Sequence, residues 1–387
     1  MKVRMGSARR CSAYVAAHLP LLDAPGSAQD GRGHVAMSSD LARRDAERAA
    51  MARALRLAQS PGVPLGPNPR VGCVLLAADG AVIAEGFHRG VGSPHAEADA
   101  LSRAGDRARG ATVVVTLEPC NHTGRTGPCA EALVRAGVAR VVFAQPDANP
   151  VARGGGQTLR DAGVDVEGGL LADAARAVNQ AWTFAVEHRR PFVTWKFAST
   201  LDGRSAAADG TSRWVSSLPA RRDTHRLRGI CDVVMVGTGT VLVDDPELTV
   251  RDEEDVNLPE ARQPLRAVMG LRDVPPDRRV LNAAADTTLL RTREPRAALT
   301  ELFERDRQHV FLEGGPTLAA AFLTEGLVDE VIGYVAPMLL GAGLSCVGEL
   351  GIGTISDALR LDVTDVCTLG TGPDTNVRLT MRPARRH

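Results

Sequence analysis

Pro94-His-Ala-Glu97 and Leu117-Glu-Pro-Cys-Asn-His-Thr-Gly-Arg-Thr-Gly-Pro-Cys129 decide how this chain is read. Each lies where an apolar run meets a helical one. Val71–Ala77, Thr112–Leu117 and Arg140–Ala144 are short runs of buried type, and helical patterns start at His95, Pro128 and Gly156. Strands separated by helices of about ten or more residues imply an α/β layer on a largely parallel sheet. Pro119 and Pro128 sit where first-turn prolines are tolerated, at the start of the elements that follow.

The polar residues at these boundaries have the chemistry of a metal site. His95 offers an imidazole, and Cys120 and Cys129 offer two thiolates. Three such ligands leave the fourth tetrahedral position of zinc for water, as in a catalytic rather than a structural site. Helix N-termini favour the thiolate form. Glu97, two residues past the histidine, is expected to stay off the metal and carry a proton from the activated water to a leaving amine. His-x-Glu with Pro-Cys…Cys is the pattern of nucleobase deaminases, but those carry Cys-x-x-Cys, whereas eight residues separate the cysteines here. An isolated His-x-Glu would be weak. A structural zinc site would supply four ligands and would not need Glu97.

Outward from this core, 387 residues exceed what one hydrophobic core usually supports, so two domains are expected. Lys plus Arg equals Asp plus Glu at 46 each, which excludes a global positive field for nucleic acid. Hydrophobic residues make up 44%, without a membrane-length apolar run, so no membrane partner is expected. Seven scattered cysteines form no secreted disulfide framework and fit a reducing cytoplasm. The apolar patch Ala13–Leu22 is interrupted by His18 and Pro20 and is not read as a secretory signal. Residues 1–37 are expected to be a disordered extension, Met37 and Met51 are alternative starts, and the first helix is expected over Leu41–Gln59.

A second series of strands follows at Phe192–Phe197, Asp232–Val236, Leu265–Met269, Val310–Glu313 and Glu330–Val335. Glu187-His-Arg-Arg-Pro191 joins the two series as a linker. The strand into Glu313 turns through Gly314-Gly315 into a helix beginning Pro316-Thr-Leu. Bare backbone amides at such a turn can approach a phosphate closely, although glycines there are as often mere turns. The Gly-x-Gly-x-x-Gly fingerprint of a standard Rossmann domain is missing.

Taken together, Gly66-Pro-Asn-Pro-Arg-Val-Gly72, the two opening stretches, Ala198-Ser-Thr-Leu-Asp-Gly203, Ser212-Arg-Trp214, Thr240-Val-Leu-Val-Asp-Asp-Pro246 and Glu313-Gly-Gly-Pro-Thr-Leu318 closely resemble the bifunctional deaminase/reductase family of riboflavin biosynthesis. The resemblance runs from about Met51 onward. It implies an α/β protein with a cytidine-deaminase-like α/β/α layer domain over 38–188 and a dihydrofolate-reductase-like α/β domain over 189–387. The implied reactions are zinc-dependent hydrolytic deamination of a phosphoribosylaminopyrimidine, then NADPH-dependent opening of its ribose to a ribityl chain. Zn²⁺ and NADPH are the implied cofactors.

By position, the resemblance implies that Asn68 contacts the pyrimidine and that His122 with the Gly-Arg-Thr turn lines its pocket; Asn68 read alone is equally a turn residue. It places NADPH against Ala198, Trp214, Thr240 and Asp244, and along Gly315, Pro316, Thr317, Leu318, Ala319, Ala320 and Ala321. It places the reductase substrate against Ser212, Arg228, Leu248, Arg251 and Glu313, the arginines being apt partners for a ribose phosphate. A cytoplasmic homo-oligomer acting on a small molecule is expected. Three departures from the family stand out: Gly127, Asp147-Ala-Asn-Pro150 and Val268-Met-Gly-Leu271. The last removes a polar cofactor contact and carries the expectation of weaker NADPH binding. A nucleic-acid deaminase would instead need Cys-x-x-Cys and a basic groove, and a zinc-stabilised scaffold would be indifferent to Glu97.

Overall fold

The computed structural model describes residues 35–60, 66–122 and 127–384. Residues 1–34 of the extension expected over 1–37, and the Gly-Arg-Thr turn within 123–126, lie outside the described residues. The described chain separates into two compact units, one ending at Glu187 and the other opening at His188.

The first unit contains, in order, α1 (Val35–Gln59), β1 (Gly72–Leu76), β2 (Val82–Phe87), α2 (Ala96–Ala104), β3 (Thr112–Leu117), α3 (Cys129–Ala136), β4 (Arg140–Gln145), α4 (Gly155–Asp161), β5 (Asp165–Gly168), α5 (Ala172–Val178) and α6 (Gln180–His188, its last residue across the boundary). Helix α1 begins six residues before the expected Leu41 and so takes in residues 35–37, the last three of the expected extension.

Strand alternation explains the layering. Cys73, Leu75, Val113, Val115, Val141 and Phe143 point to one face and pack on Ala96, Ala100, Ala130 and Leu133 of α2 and α3. Their neighbours Val74, Leu76, Val114 and Val142 point to the other and pack on Met51, Ala54 and Leu55 of α1 and on α5. With both faces covered, β1 and β4 are buried throughout and β3 at every residue after Thr112.

The sheet order is β2-β1-β3-β4-β5. It is mixed, which corrects the expectation of a largely parallel sheet: β1 runs antiparallel to both β2 and β3, and only β3-β4-β5 are parallel. The cause is a hairpin through Ala78-Asp79-Gly80, in which Gly80 adopts φ +84°.

The second unit holds β6 (Phe192–Thr200), β7 (Arg204–Ala206), α7 (Leu218–Arg228), β8 (Val233–Gly237), α8 (Thr238–Asp244), β9 (Leu265–Met269), β10 (Thr287–Leu290), α9 (Pro295–Glu304), β11 (His309–Leu312), α10 (Pro316–Thr324), β12 (Glu330–Ala336), β13 (Leu344–Ser345), β14 (Leu361–Leu369) and β15 (Asn376–Pro383). Eight strands form one sheet in the order β10-β9-β8-β11-β6-β12-β15-β14. The run from β10 to β12 is parallel, and β15 and β14 close it as antiparallel strands. Helices α9 and α10 bury Leu299, Leu302, Ala319 and Phe322 on one face. Among the described residues no helix is long and apolar enough to cross a membrane.

Candidate active sites

The zinc ligands expected from sequence come together at the ends of three elements of the first unit. His95 caps α2, Cys120 follows β3, and Cys129 opens α3. Their ligand atoms all lie within 4.8 Å of one another. His95 Nδ1 is 3.3 Å from Cys129 Sγ and 3.6 Å from Cys120 Sγ. A tetrahedral zinc about 2.05 Å from nitrogen and about 2.3 Å from sulfur requires N···S edges of roughly 3.5 Å. The donor set and its spacing therefore fit the ion.

Local folding prepares the sulfurs. The Cys129 amide donates to Cys120 Sγ at 3.4 Å, and the Ala130 amide donates to the Cys120 carbonyl at 3.2 Å, so the first turn of α3 faces Cys120. Hydrogen bonding from Cys129, then from His95 and the backbone amide, outweighs burial and brings Cys120 down to about 4, while sharing that proton drives Cys129 up. Glu97, in the first turn of α2, is 4% exposed, and burial, reinforced by the charge of Cys120, raises its carboxyl to about 7. A carboxyl poised near neutrality can both take and return a proton.

Two residues that sequence reading passed over support this cluster. His88 is buried between Asn68 and the loop before α2: Asn68 Nδ2 lies 2.9 Å from its Nε2, and the Pro94 carbonyl 3.0 Å from its Nδ1. With Nδ1–H donating to Pro94, Nε2 accepts from Asn68, and the ring stands edge-on to His95 at 5.7 Å. Asn68 thus lies one side chain away from the ligand set. His122 Nδ1 is buried without a partner among the described residues.

The second residue is Glu118, whose carboxylate accepts the amides of Asp147 at 3.2 Å, Gly154 at 3.2 Å and Gly156 at 3.0 Å, tying the loop after β4 to the Cys120 segment. Gly155 lies in that seam, and a Cβ on it would stand 1.8 Å from the Pro119 carbonyl. Gly155→Ala is expected to push Pro119-Cys120 out of place, cutting zinc content to below about half and deaminase activity by about tenfold or more. Metal analysis beside a reductase assay, which should stay within about twofold, checks this.

In the second unit a cleft of about 820 Å³ lies along the strand ends, and a cleft of about 730 Å³ shares its wall at Thr240, Val243, Asp244, Gly315, Pro316 and Leu344. Ser212, Arg228, Leu248, Arg251 and Glu313 all line the first, as do Ala198 and Trp214. Thr317, Leu318 and Ala321 line the second. Ala319 and Ala320 do not: they are 0% and 7% exposed, Ala319 on the face of α10 opposite Thr317 and Ala321 and Ala320 to one side of that face, next to Gly348.

Arg228, the last residue of α7, grips Glu313 with both arms of its fork; Nη2 reaches Oε2 at 3.0 Å, Nε bonds Oε1, and Nη1 donates to the Thr249 carbonyl at 2.9 Å. Burial opposes the Glu313 charge, but Arg228 and then Lys196 outweigh it and hold the carboxyl below its usual range. Lys196, in the middle of β6, was not singled out from sequence; burial lowers its pKa, and it lies 5.7 Å from the Tyr334 ring. Arg251 bonds Glu247 at 3.1 Å and Asp255 at 3.2 Å. Both expected phosphate arginines are thus already paired with carboxylates.

Comparison with known proteins bears on both units. Residues 44–145 match the cytidine and deoxycytidylate deaminase zinc-binding region, and residues 191–373 match the RibD C-terminal domain. The chain is 47% identical to the riboflavin biosynthesis protein RibD of Mycobacterium tuberculosis over 317 residues, 82% of this chain and 92% of that one. It is 40% identical to RibD of Escherichia coli over 361 residues, 85% of this chain and 98% of the other. Among solved structures, Acinetobacter baumannii RibD superposes with a TM-score of 0.81 at 38% identity, covering 88% of this chain and 99% of that one. A diaminohydroxyphosphoribosylaminopyrimidine deaminase/5-amino-6-(5-phosphoribosylamino)uracil reductase from Thermotoga maritima does so at 0.79 and 33% identity, over 88% and 99%.

Proposed function

The chain belongs to the RibD family of riboflavin biosynthesis, as a bifunctional deaminase and reductase, and from that premise we propose how its own residues divide the work. The substrate of the first half is 2,5-diamino-6-(5-phosphoribosylamino)pyrimidin-4(3H)-one. The observation that carries this reading is the His95–Cys120–Cys129 triangle, whose edges match a zinc tetrahedron, with buried Glu97 beside it.

His95, Cys120 and Cys129 hold zinc, which when bound supplies Lewis-acid activation of water. Glu97 takes the proton of the attacking water and passes it to the departing amino group, so ammonia leaves as oxygen replaces nitrogen on the ring. Asn68 and His122 contact the pyrimidine. The apolar shell of Ala and Val residues behind the ligands keeps solvent from competing for that proton.

In the second half NADPH, when bound, would supply the hydride that reduces C1′ of the ribosylamino group. The second cleft would take the nucleotide, with Gly315 and the start of α10 on the wall offered to its phosphates. The first cleft takes the phosphoribosyl substrate, where Glu313 and Lys196 present opposite charges to the sugar and Arg228 orients Glu313. No side chain need form a covalent bond; the task is alignment of two bound molecules. We place the protein in the cytoplasm as a homo-oligomer, the exposed Val363 and Val366 of the edge strand β14 being apolar surface that a second copy would cover.

The decisive experiment supplies the diamino substrate to purified protein with and without NADPH, following ammonia and the loss of reduced-nicotinamide absorbance. Ammonia is expected in both cases and NADPH loss only after it. Treatment with a zinc chelator is expected to stop ammonia release and leave reduction of the already deaminated substrate unchanged. Loss of both activities on chelation would sink the assignment of zinc to the first half alone.

A further inference from the structure

The second cleft contains two cationic side chains that neither the sequence motifs nor the reaction accounts for. Strands β9 and β10 are parallel neighbours whose last residues, Met269 and Leu290, are register partners. Three residues beyond each comes an arginine, Arg272 and Arg293, and both line the same cleft with Thr238, Gly239 and Thr292. Neither guanidinium has a carboxylate partner among the described residues. Arg291 beside them does, at 3.0 Å from Asp273, and the carboxylate that shares the cleft, Asp244, is ion-paired with neither Arg272 nor Arg293.

A pair of exposed, unpaired arginines converging from adjacent strand ends is a place for a dianion. We infer that Arg272 and Arg293 clamp the 2′-phosphate of the adenosine ribose and so set the preference for NADPH over NADH; this rests on the second cleft being the nucleotide site. Selectivity for the unphosphorylated cofactor calls for the opposite arrangement, an acid at a strand end that accepts from the free 2′-hydroxyl. That option is closed here. Gly270, the first residue past β9, has φ +143°, and a Cβ on it would stand 2.7 Å from Thr238 Oγ1. Gly270-Leu271 brings no polar side chain to the end of β9, and Arg272 just beyond brings charge. Gly239 makes room for it: a Cβ there would press on Arg272 Nη2 at 3.0 Å. The planar fork of arginine suits bidentate capture of phosphate, and each charge-assisted bond is worth enough to shift affinity by about tenfold or more.

Calorimetric titration of the full-length protein with NADPH, NADH and adenosine 2′,5′-bisphosphate tests this without turnover. The wild type is expected to bind NADPH at least about a hundredfold more tightly than NADH, and to bind the bisphosphate, which has no nicotinamide. Arg272→Ala and Arg293→Ala should each weaken NADPH and the bisphosphate by about tenfold, and the double variant by about a hundredfold, with NADH binding within about twofold of wild type. Arg272→Lys should fall between. A double variant that retains wild-type NADPH affinity, or that loses NADPH and NADH equally, overturns the clamp while leaving the nucleotide site in place. A wild type that binds NADPH but whose Gly239→Trp variant, filling the cleft, binds it unchanged overturns the site itself and the clamp with it.

Discussion

Glu97→Gln is expected to lower ammonia release by about a thousandfold or more while zinc stays bound at one ion per chain. The reasoning is geometric before it is electrostatic. Glu97 is buried in the first turn of α2 two residues from His95, beside the three-ligand cluster but not a member of it. Glutamine keeps the shape and the helix but cannot carry a proton, and positioned proton transfer is worth about a hundred- to ten-thousandfold in rate. The buried carboxyl near neutrality accepts the water proton without being so weak an acid that it keeps it. Reductase turnover on deaminated substrate should be unaffected. Ammonia production near the wild-type rate by a zinc-replete variant would remove Glu97 from the reaction.

The second large effect is expected in the other half. Arg228→Ala removes both arms of a buried fork and leaves Glu313 facing Lys196 alone. Truncating one partner of such a pair costs about 2–5 kcal/mol, much of it from the stranded charge. At the reductase this should read as a fall in kcat/KM for the pyrimidine substrate of about thirtyfold to a thousandfold, chiefly through KM, with the dissociation constant of NADPH within about threefold. Arg228→Lys should recover little, because an ammonium cannot make the two parallel bonds. Equal losses in substrate and cofactor affinity would show that Arg228 only supports the fold. Ammonia release, carried by the first unit, should not change in either variant.

The parts of this molecule most legible in its sequence are those where chemistry or burial permits few residue types. The runs at β1, β3, β4, β6, β8, β9 and β12 are rich in apolar and β-branched residues because these strands are covered on both faces. Strand β2 was passed over because Val82-Ile-Ala-Glu-Gly-Phe87 mixes a glycine and an acid into an edge position, and that omission turned a mixed sheet into an apparently parallel one. Strand β14, Leu361–Leu369, is also an edge strand, largely solvent-facing, with alternation too polar to register.

The same contrast holds at the sites. Zinc demands imidazole and thiolate, so His95, Cys120 and Cys129 could be read directly. Glu118 could not, although it stands in the quoted motif, because its partners are backbone amides of Asp147, Gly154 and Gly156 that carry no side-chain signature. Ala319 and Ala320 were included by continuity along α10; the helical period turns Ala319 away from the cleft, and packing beside Gly348 buries Ala320.

The boundary at His188 has a consequence for how such a gene can evolve. Among the described residues, each ligand of the metal triangle is encoded upstream of it and each residue lining the two clefts downstream. Fission there would divide no constellation. What the single frame secures is dosage: one copy of the second catalyst is translated for every copy of the first, whatever the level of expression.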